Sequence, residues 1–184
     1  MRKRVPVSEA DAIMICSQFR PLYFTKQEHV FRTGEICRYG CYVIKGAFRY
    51  YQLNERDAEY TTRFSFEDWW VGDLQSLFNN TPAALSLQAL EDATVLGIDK
   101  KGYDFLFEHS PTFSELFRIN RNSGFNKLNQ LMIDKMSKTA EERYLDLLQQ
   151  HPFIFQRVAL KHIASYLGIQ PESLSRIRKN ITPR

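Results

Sequence analysis

The polar residues best suited to chemistry lie near the C-terminus, in the stretch PESLSRIRKN that runs from Pro171 to Asn180. Arginine can bond the edge of a guanine through two parallel hydrogen bonds, and glutamate can accept a hydrogen bond from cytosine N4. Serine and lysine suit phosphate oxygens. The stretch and a lysine upstream of it therefore predict a set of DNA-contacting residues, namely Lys161, Glu172, Ser173, Ser175, Arg176 and Lys179.

The spacing around this stretch predicts the pair of helices that would position it. A helix-turn-helix needs a small residue where its helices cross and a residue tolerant of positive φ in the turn. In IASYLGIQPESLSRIRK, Ala164 is the small residue, Gly168 falls in the turn, and Pro171 suits the first turn of the second helix. Apolar residues that could lock the two helices together are Ile163, Leu167, Ile169, Leu174 and Ile177.

The distribution of charge favours a nucleic-acid contact at this end of the chain. The 184 residues carry a formal net charge of +4. Basic and acidic residues balance at 17 each in residues 1–136, whereas residues 137–184 hold 8 basic against 4 acidic residues. A basic end on a neutral body is the electrostatic pattern of a surface that touches phosphate. The alternative is a solvated face of an ordinary helical hairpin.

Composition argues against several other classes of protein. No apolar run reaches the ~20 residues that span a bilayer, and no apolar stretch follows the basic N-terminus as a signal peptide requires. We therefore expect a cytoplasmic protein without a membrane partner. The cysteines, Cys16, Cys37 and Cys41, are too few for an iron–sulfur cluster and too scattered for a disulfide framework. The histidines show no metal-binding spacing, so we expect no metal and no cofactor.

The remaining patterns predict an α+β fold. A serine cap and apolar residues predict a leading helix over residues 8–20. From His29 to about Ile98, short β-rich runs such as CYVIKG, AFRYYQL and EYTTRFSF alternate with turns, which predicts a small antiparallel barrel or roll. Helical periodicity follows from Lys101, and Thr139 with Glu142 forms a capping box.

A long helix is predicted over about 112–136, between the roll and the terminal helices. Its apolar residues recur at three- and four-residue steps. Such an apolar helix between two domains would expose an apolar surface to water, so we expect a homodimer in which a second copy covers it. The predicted division is a sensor roll with its leading helix in 1–111, a dimerisation helix in 112–136, and a helix-turn-helix domain in 137–184.

These motifs resemble the cAMP receptor protein/FNR (Crp/Fnr) family of bacterial transcription regulators, from about Val30 to Ile181. GEICRYGCYVIKG resembles part of the family's cyclic-nucleotide-binding roll, and WVGDLQSLFNNTPAALSLQALEDATV resembles the segment that holds a cyclic nucleotide's phosphate. The resemblance implies a homodimeric, non-enzymatic regulator that reads a palindromic operator in the major groove of double-stranded DNA. It implies a small-molecule effector and RNA polymerase as further partners. Glu172 and Arg176 fall on positions where the family often reads bases.

The chain departs from the family at the phosphate site. The resemblance places a ligand pocket at Gly72, Asp73, Leu74, Ala83 and Ala84. Aspartate stands at 73 where nucleotide-binding members carry Glu, and Ala83-Ala84 stand where they carry an Arg-Ser pair. A buried phosphate would lose its charge-assisted partner, and no other basic residue occurs between Arg63 and Lys100. We therefore expect no cAMP binding.

Two alternatives follow for the space left by the missing arginine. Either apolar residues of the roll, such as Leu77, Phe78 and Leu85, fill this space, or the space holds an uncharged ligand. A second departure lies at the C-terminus, where the sequence stops at Arg184 without the family's β-hairpin wing. We expect the phosphate contacts of that wing to be missing.

Two other functions compete with a DNA-binding regulator. A metal oxygenase on a β-roll needs two or three histidines and a carboxylate around iron, and the predicted β region contains one histidine, His29. The stronger rival is a cyclic-nucleotide- or small-ligand-binding module, or an interaction module, whose terminal hairpin does not contact DNA. Salt-dependent binding to DNA would separate this rival from a regulator.

Overall fold

The computed structural model describes residues 6–55 and 58–181, in which two antiparallel sheets are followed by a series of helices. The strands are short, as the frequent turn residues predict. They are β1 (Arg20–Phe24), β2 (His29–Phe31), β3 (Gly40–Lys45), β4 (Phe48–Leu53), β5 (Glu59–Ser65), β6 (Trp70–Val71), β7 (Ser86–Ala89) and β8 (Ala93–Ile98).

The two sheets form the predicted roll. One sheet has the strand order β1-β8-β3-β6, and the other has the order β2-β7-β4-β5. Alternate residues of both sheets point inward and form one apolar cluster, because successive side chains of a strand face opposite ways. The cluster contains Phe31, Cys37, Cys41, Val43, Phe48, Tyr50, Val71, Ala83, Leu87, Ala89, Ala93 and Val95.

Helices lie before, within and after the roll. Sequence analysis predicted the leading helix and most of those after the roll, but not the short helix inside the roll or the one-turn helix at Ile154–Arg157. They are α1 (Glu9–Ser17), α2 (Leu74–Asn79), α3 (Lys100–His109), α4 (Pro111–Ser137), α5 (Ala140–Gln150), α6 (Ile154–Arg157), α7 (Leu160–Leu167) and α8 (Pro171–Ile181). Within the described residues, none of these helices is both long enough and apolar enough to cross a membrane.

The leading helix is shorter than its predicted range of 8–20. Ser8 caps it as expected, because its hydroxyl accepts a hydrogen bond from the Asp11 amide at 3.1 Å. The helix ends at Ser17, and the chain from Arg20 onward pairs with β8 instead. Pairing with a distant strand therefore overrides the helical pattern at this boundary.

The long helix α4 closely matches its predicted range. It has 27 residues, which at the rise of an α-helix is about 40 Å. Ser110 caps it by accepting from the Phe113 amide at 3.2 Å, and Pro111 takes the first position. Phe113 and Leu116 are buried at its N-terminal end. Phe113 belongs to a second apolar cluster, with Ile15, Leu77, Ile98, Tyr103 and Leu106.

A third apolar cluster joins the roll to the C-terminal helices. It contains Ala47, Phe64, Phe66 and Leu90 from the roll, and Tyr144, Leu147, Ile154, Val158, Ile163, Ala164, Leu167 and Leu174 from the helices. The predicted division of the chain near Ser137 stays a prediction. Residues on both sides of that point share this core, so the terminal helices are packed against the roll.

Candidate functional site

The turn between α7 and α8 has the geometry that the sequence predicted. Gly168 lies in the left-handed region, with φ 69° and ψ 30°, where a glycine carries no Cβ penalty. The Ile169 amide donates to the Ala164 carbonyl at 3.0 Å, and the Gly168 amide donates to the Ser165 carbonyl at 3.1 Å. These bonds satisfy the last carbonyls of α7 and fix the direction in which α8 leaves.

Apolar side chains lock the two helices in the predicted way. Ile163, Ala164, Leu167 and Leu174 are each at most 1% exposed, and Ile169 and Ile177 are half-buried against them. Ala164 has the small side chain that the crossing requires. The pair is therefore a rigid unit with one outward face.

The outward face of α8 carries most of the predicted DNA-contacting residues. Glu172, Ser175, Arg176 and Lys179 are exposed, and Ser173 at the flank is half-buried. Lys161 is exposed on α7. The Arg176 guanidinium lies 3.5 Å from the Ser173 hydroxyl, and the Ser175 hydroxyl donates to the Pro171 carbonyl at 3.0 Å. Four of the side chains that could contact bases and phosphates thus share one face of α8.

A buried arginine ties this helical pair to the roll. Arg49 of β4 is 2% exposed, and its Nη1 lies 2.8 Å from His162 Nδ1 on α7 and 2.7 Å from a carboxylate oxygen of Glu59. Its Nε and Nη2 donate to Gln88 Oε1 at 2.9 and 2.7 Å. A guanidinium can only donate, so His162 Nδ1 must accept and the imidazole must be neutral.

The titration behaviour of this cluster follows from burial and charge. Burial, reinforced by the positive charges of Arg49 and Lys161, lowers the pKa of His162 to about 4, although Glu59 opposes the shift. The hydrogen bond from Arg49 lowers the pKa of Glu59. At neutral pH the cluster therefore contains one arginine cation, one carboxylate and one uncharged histidine.

Two further side chains of the terminal helices bond to the roll. The Ser165 hydroxyl on α7 accepts from the Thr61 amide at 2.9 Å and donates to the Glu59 carbonyl at 2.7 Å. Arg157 of α6 bonds both carboxylate oxygens of Glu67, at 2.7 and 2.9 Å, and also pairs with Glu91. Sequence reasoning missed this junction because no local pattern connects residues that lie 66 to 113 positions apart.

The predicted phosphate segment forms a turn whose polar groups bond to one another. Asp73 caps α2, since its carboxylate accepts from the Ser76 amide at 3.0 Å. The Ser76 hydroxyl accepts from the Cys37 amide at 2.9 Å and donates to the Thr81 carbonyl at 2.6 Å. Gly72 has φ 136°, and a Cβ there would lie 3.0 Å from the Tyr39 carbonyl oxygen. Leu74 is half-buried at the start of α2.

The two alanines of this segment occupy different environments. Ala83 is 2% exposed and belongs to the interior cluster of the roll. Its amide donates to the Glu35 carbonyl at 2.8 Å, and its carbonyl accepts from the Gly34 amide at 2.9 Å. Ala84 is exposed. Neither alanine offers a side-chain donor to a phosphate.

The prediction of which residues fill the roll is only partly right. Leu85 packs against the interior cluster, but Leu77 and Phe78 pack beneath α3 and α4, because α2 turns that face of its sequence away from the roll. Tyr50 occupies the interior instead. Its hydroxyl accepts from the Gly72 amide at 2.6 Å, and the Arg63 guanidinium lies 4.0 Å from its ring centroid.

Two of the three cysteines are buried thiols with raised pKa values. Cys37 and Cys41 are buried in the roll and unpaired, and Cys16 is exposed. Burial raises the pKa of Cys37 to about 11 and that of Cys41 to about 12. Across the described part of the chain, no three residues among His, Cys, Asp and Glu are grouped so as to hold a metal ion.

Comparisons with known proteins agree with this architecture. Residues 21–110 match the family model of the cyclic nucleotide-binding domain. FixK2 from Bradyrhizobium japonicum is similar in structure with a TM-score of 0.74 at 18% identity, covering 89% of this chain and 84% of that chain. The c-di-GMP responsive global regulator CLP from Xanthomonas campestris has a TM-score of 0.74 at 15% identity, covering 95% and 91%. No curated protein sequence matches the chain.

A third similar structure is that of a protein from Eubacterium rectale assigned to the Crp/Fnr family of transcriptional regulators. Its TM-score is 0.72 at 17% identity, and the match covers 95% of this chain and 83% of that chain. At these identities the likeness concerns the fold alone, over most of the length of each chain. Residues 21–110 therefore match the cyclic nucleotide-binding domain family, and the chain shares the fold of these similar structures.

Proposed function

We propose that this protein is a homodimeric transcription regulator that binds a palindromic DNA operator through α8, and that it is not an enzyme. The observation that carries the proposal is the outward face of α8, where Glu172, Ser175, Arg176 and Lys179 are exposed above a buried apolar seam. The likeness to regulators of the Crp/Fnr type supports it. Residues 137–184 also carry the whole positive net charge of the chain, as binding to phosphate requires.

The residues of this face have separate roles in the proposal. Arg176 and Glu172 read base edges in the major groove, because their side chains offer a bidentate donor and an acceptor. Ser173, Ser175, Lys161 and Lys179 contact phosphates and set the register of the helix. The first experiment is selection of bound sequences from random DNA with the purified protein, followed by fluorescence anisotropy at several salt concentrations. Binding without sequence preference, or no binding at low salt, would refute the proposal.

Replacing Arg176 with alanine should change sequence preference, whereas replacing Lys179 should change affinity alone. Loss of a bidentate base contact costs ~1–3 kcal/mol and relaxes selection at one base pair. Loss of a phosphate contact weakens all sequences alike and reduces the salt slope by about one. Anisotropy titrations on the selected operator and on single-base variants measure both effects.

Arg118→Ala is the matched control for these titrations. Arg118 is an exposed arginine on α4 that pairs with Glu115, away from α8. Its replacement should leave affinity and base preference unchanged. If Arg176→Ala behaved like this control, the base-reading role assigned to Arg176 would be wrong.

The proposed dimer rests on the downstream half of α4. Phe125, Leu128, Met132 and Met136 recur at three- and four-residue steps and are exposed, with Met132 at 64% and Met136 at 89%. This spacing suits a seam between two helices. Pairing of two copies along this stripe would remove the apolar residues from water and separate two copies of α8 by about one DNA turn, ~34 Å.

The roll should not bind cAMP or cGMP with useful affinity. Asp73 already caps α2, Ser76 is fully used by backbone groups, and Ala83 is packed in the interior. Calorimetric titration with either nucleotide should therefore give no binding heat and no rise in melting temperature. A stabilisation of ~2.7 kcal/mol is expected for a ligand at a hundred times its dissociation constant. Such a result would contradict this prediction and show that the roll binds the nucleotide.

A further inference from the structure

The downstream half of α4 contributes nothing to the apolar core. Phe113 and Leu116, in the first two turns of the helix, are buried. After Leu116, no side chain of α4 that the structure describes is buried. The direction of this half of α4 is therefore set by the polar contacts at its C-terminal end.

Arg143 of α5 bonds the ends of two other helices. Its Nη1 donates to the carbonyls of Lys135 and Lys138, at 3.1 Å each, where α4 ends. Its Nη2 donates to the Leu167 carbonyl at 2.7 Å, where α7 ends. The last carbonyls of a helix have no partner within it and carry partial negative charge, so a guanidinium stabilises both ends. One side chain thus joins α4 to the first helix of the helix-turn-helix.

The position of Arg143 uses the shape of the guanidinium as well as its charge. Arginine carries its donors in a rigid planar fork, so one side chain can bond acceptors that lie on different helices. The Nε of Arg143 is buried and has no hydrogen-bond partner in residues 6–55 and 58–181. A buried donor without a partner is unfavourable. Stability alone therefore does not account for an arginine at this position.

We propose that Arg143 is a positioning residue that holds the apolar stripe of α4 at a fixed angle to α8, and thereby sets the separation of operator half-sites that the dimer accepts. Because α8 follows α7 through the rigid turn at Gly168, a bond to the end of α7 also fixes α8. The stripe of α4 determines where the second copy lies. This role rests on the proposed function and names the residue that connects the dimer seam with the DNA-contacting helix.

The first test needs neither DNA nor a dimer. Spin labels at Asn126→Cys on α4 and Asn180→Cys on α8 report the distance between these helices by double electron–electron resonance. Both positions are exposed, and Asn126 lies outside the apolar stripe. Cys16→Ser removes the exposed cysteine, and the other two cysteines are buried. With labelled chains diluted in an excess of unlabelled chain, we expect one narrow distance distribution, which Arg143→Met should broaden.

The second test measures affinity for operators with altered spacing. One base pair added or removed between the half-sites rotates one of them by about 34° and moves it by ~3.4 Å. The wild type should therefore bind the selected spacing at least about tenfold more tightly than either neighbouring spacing. Arg143→Met should reduce this preference to within about threefold and bind the selected spacing about tenfold more weakly, because a looser α8 lowers the effective concentration of the second contact. Its affinity for a single half-site should stay within about twofold of wild type.

Two further variants separate geometry from charge. Arg143→Lys keeps the positive charge but places its donors on one nitrogen, so it should behave like Arg143→Met in both tests. Lys138→Met removes a positive charge at the same end of α4. Lys138 pairs with Asp134 and Asp146 at 3.2 and 2.6 Å and is 36% exposed. Because ion pairs in contact with water contribute little, this control should behave like wild type.

Several outcomes would overturn the role of Arg143. These are a label distribution as narrow in Arg143→Met as in wild type, an unchanged spacing preference, or wild-type behaviour of Arg143→Lys. Broadening by Lys138→Met to the same extent would also count against it. If Arg143→Met lost half-site binding as well, the label distances would decide. Absence of DNA binding by the wild type would refute the proposed function, whereas the label distances would still show whether Arg143 fixes the angle between α4 and α8.

Discussion

Replacing Arg49 with methionine should lower the free energy of unfolding by about 3 kcal/mol, the lower end of the cost of removing one partner from a buried ion pair. Methionine retains most of the apolar volume, so the effect isolates the charge and its hydrogen bonds. The substitution leaves Gln88 and His162 without their buried donor. Glu59 is 41% exposed and can turn to water, which keeps the cost at the lower end. Urea denaturation followed by tryptophan fluorescence measures it.

Arg20→Met provides the control for this measurement. Arg20 also lies on a strand and stacks over a tyrosine ring, with its guanidinium 4.4 Å from the Tyr39 centroid, but it is exposed. Its replacement should change stability by less than about 0.5 kcal/mol, as surface substitutions do. Equal effects of the two variants would mean that Arg49 contributes only stacking, and that the contacts to His162 and Glu59 add nothing.

The dependence of stability on pH distinguishes these possibilities further. His162 has a folded pKa of about 4, below its ordinary value of 6.5, so protonation favours the unfolded chain. The contribution of neutral His162 to the free energy of unfolding is complete above pH 6.5 and is lost as the pH falls from 6.5 towards 4. Glu59 contributes in the same direction because its pKa is also lowered. Arg49→Met removes one cause of both pKa shifts. The variant should therefore lose less stability than the wild type does as the pH falls.

The helix caps, the turn before α8 and the ends of α4 are predictable from the local sequence, because each depends on neighbouring residues. The capping box of Thr139 and Glu142 is present, with bonds of 3.2 and 2.7 Å in the two directions. Gly168 and Pro171 mark the turn because one permits positive φ and the other fixes φ at a helix start. The ends of α4 follow from Ser110 and from the end of its apolar period.

The parts that depend on distant residues are not predictable in this way. Sequence analysis predicts a helix up to residue 20 and no strand over RPLYF, which has no clear alternation, and β1 exists through its pairing with β8. In the sequence, Arg49 is one arginine among aromatic residues, and nothing there indicates that it is buried. Arg63 marks the edge of a stretch without basic residues in the sequence, but only the fold shows that its guanidinium stacks over the Tyr50 ring.

Replacing Met132 with aspartate should abolish the proposed dimer and with it most of the affinity for operator DNA. A charge in the middle of a paired apolar seam must be buried without a partner, which outweighs the gain from pairing the remaining stripe. Each monomer would then bind a half-site alone. Loss of the intramolecular second contact reduces affinity by about 10²–10⁴. Light scattering at micromolar concentration measures the mass, and anisotropy on the palindromic site measures the affinity.

Ile13→Asp is the matched control for this change. Ile13 is an apolar residue of α1 with 65% exposure, against 64% for Met132, so the two substitutions place the same charge at equally exposed helical positions. Only the substitution on α4 should give a monomeric mass. A wild-type protein that is already monomeric would refute the proposed dimer. A Met132→Asp variant that remains dimeric would show that the interface lies outside this stripe. Half-site affinity that is equal in both variants would show that α8 remains folded and that the loss on the palindrome comes from dimerisation.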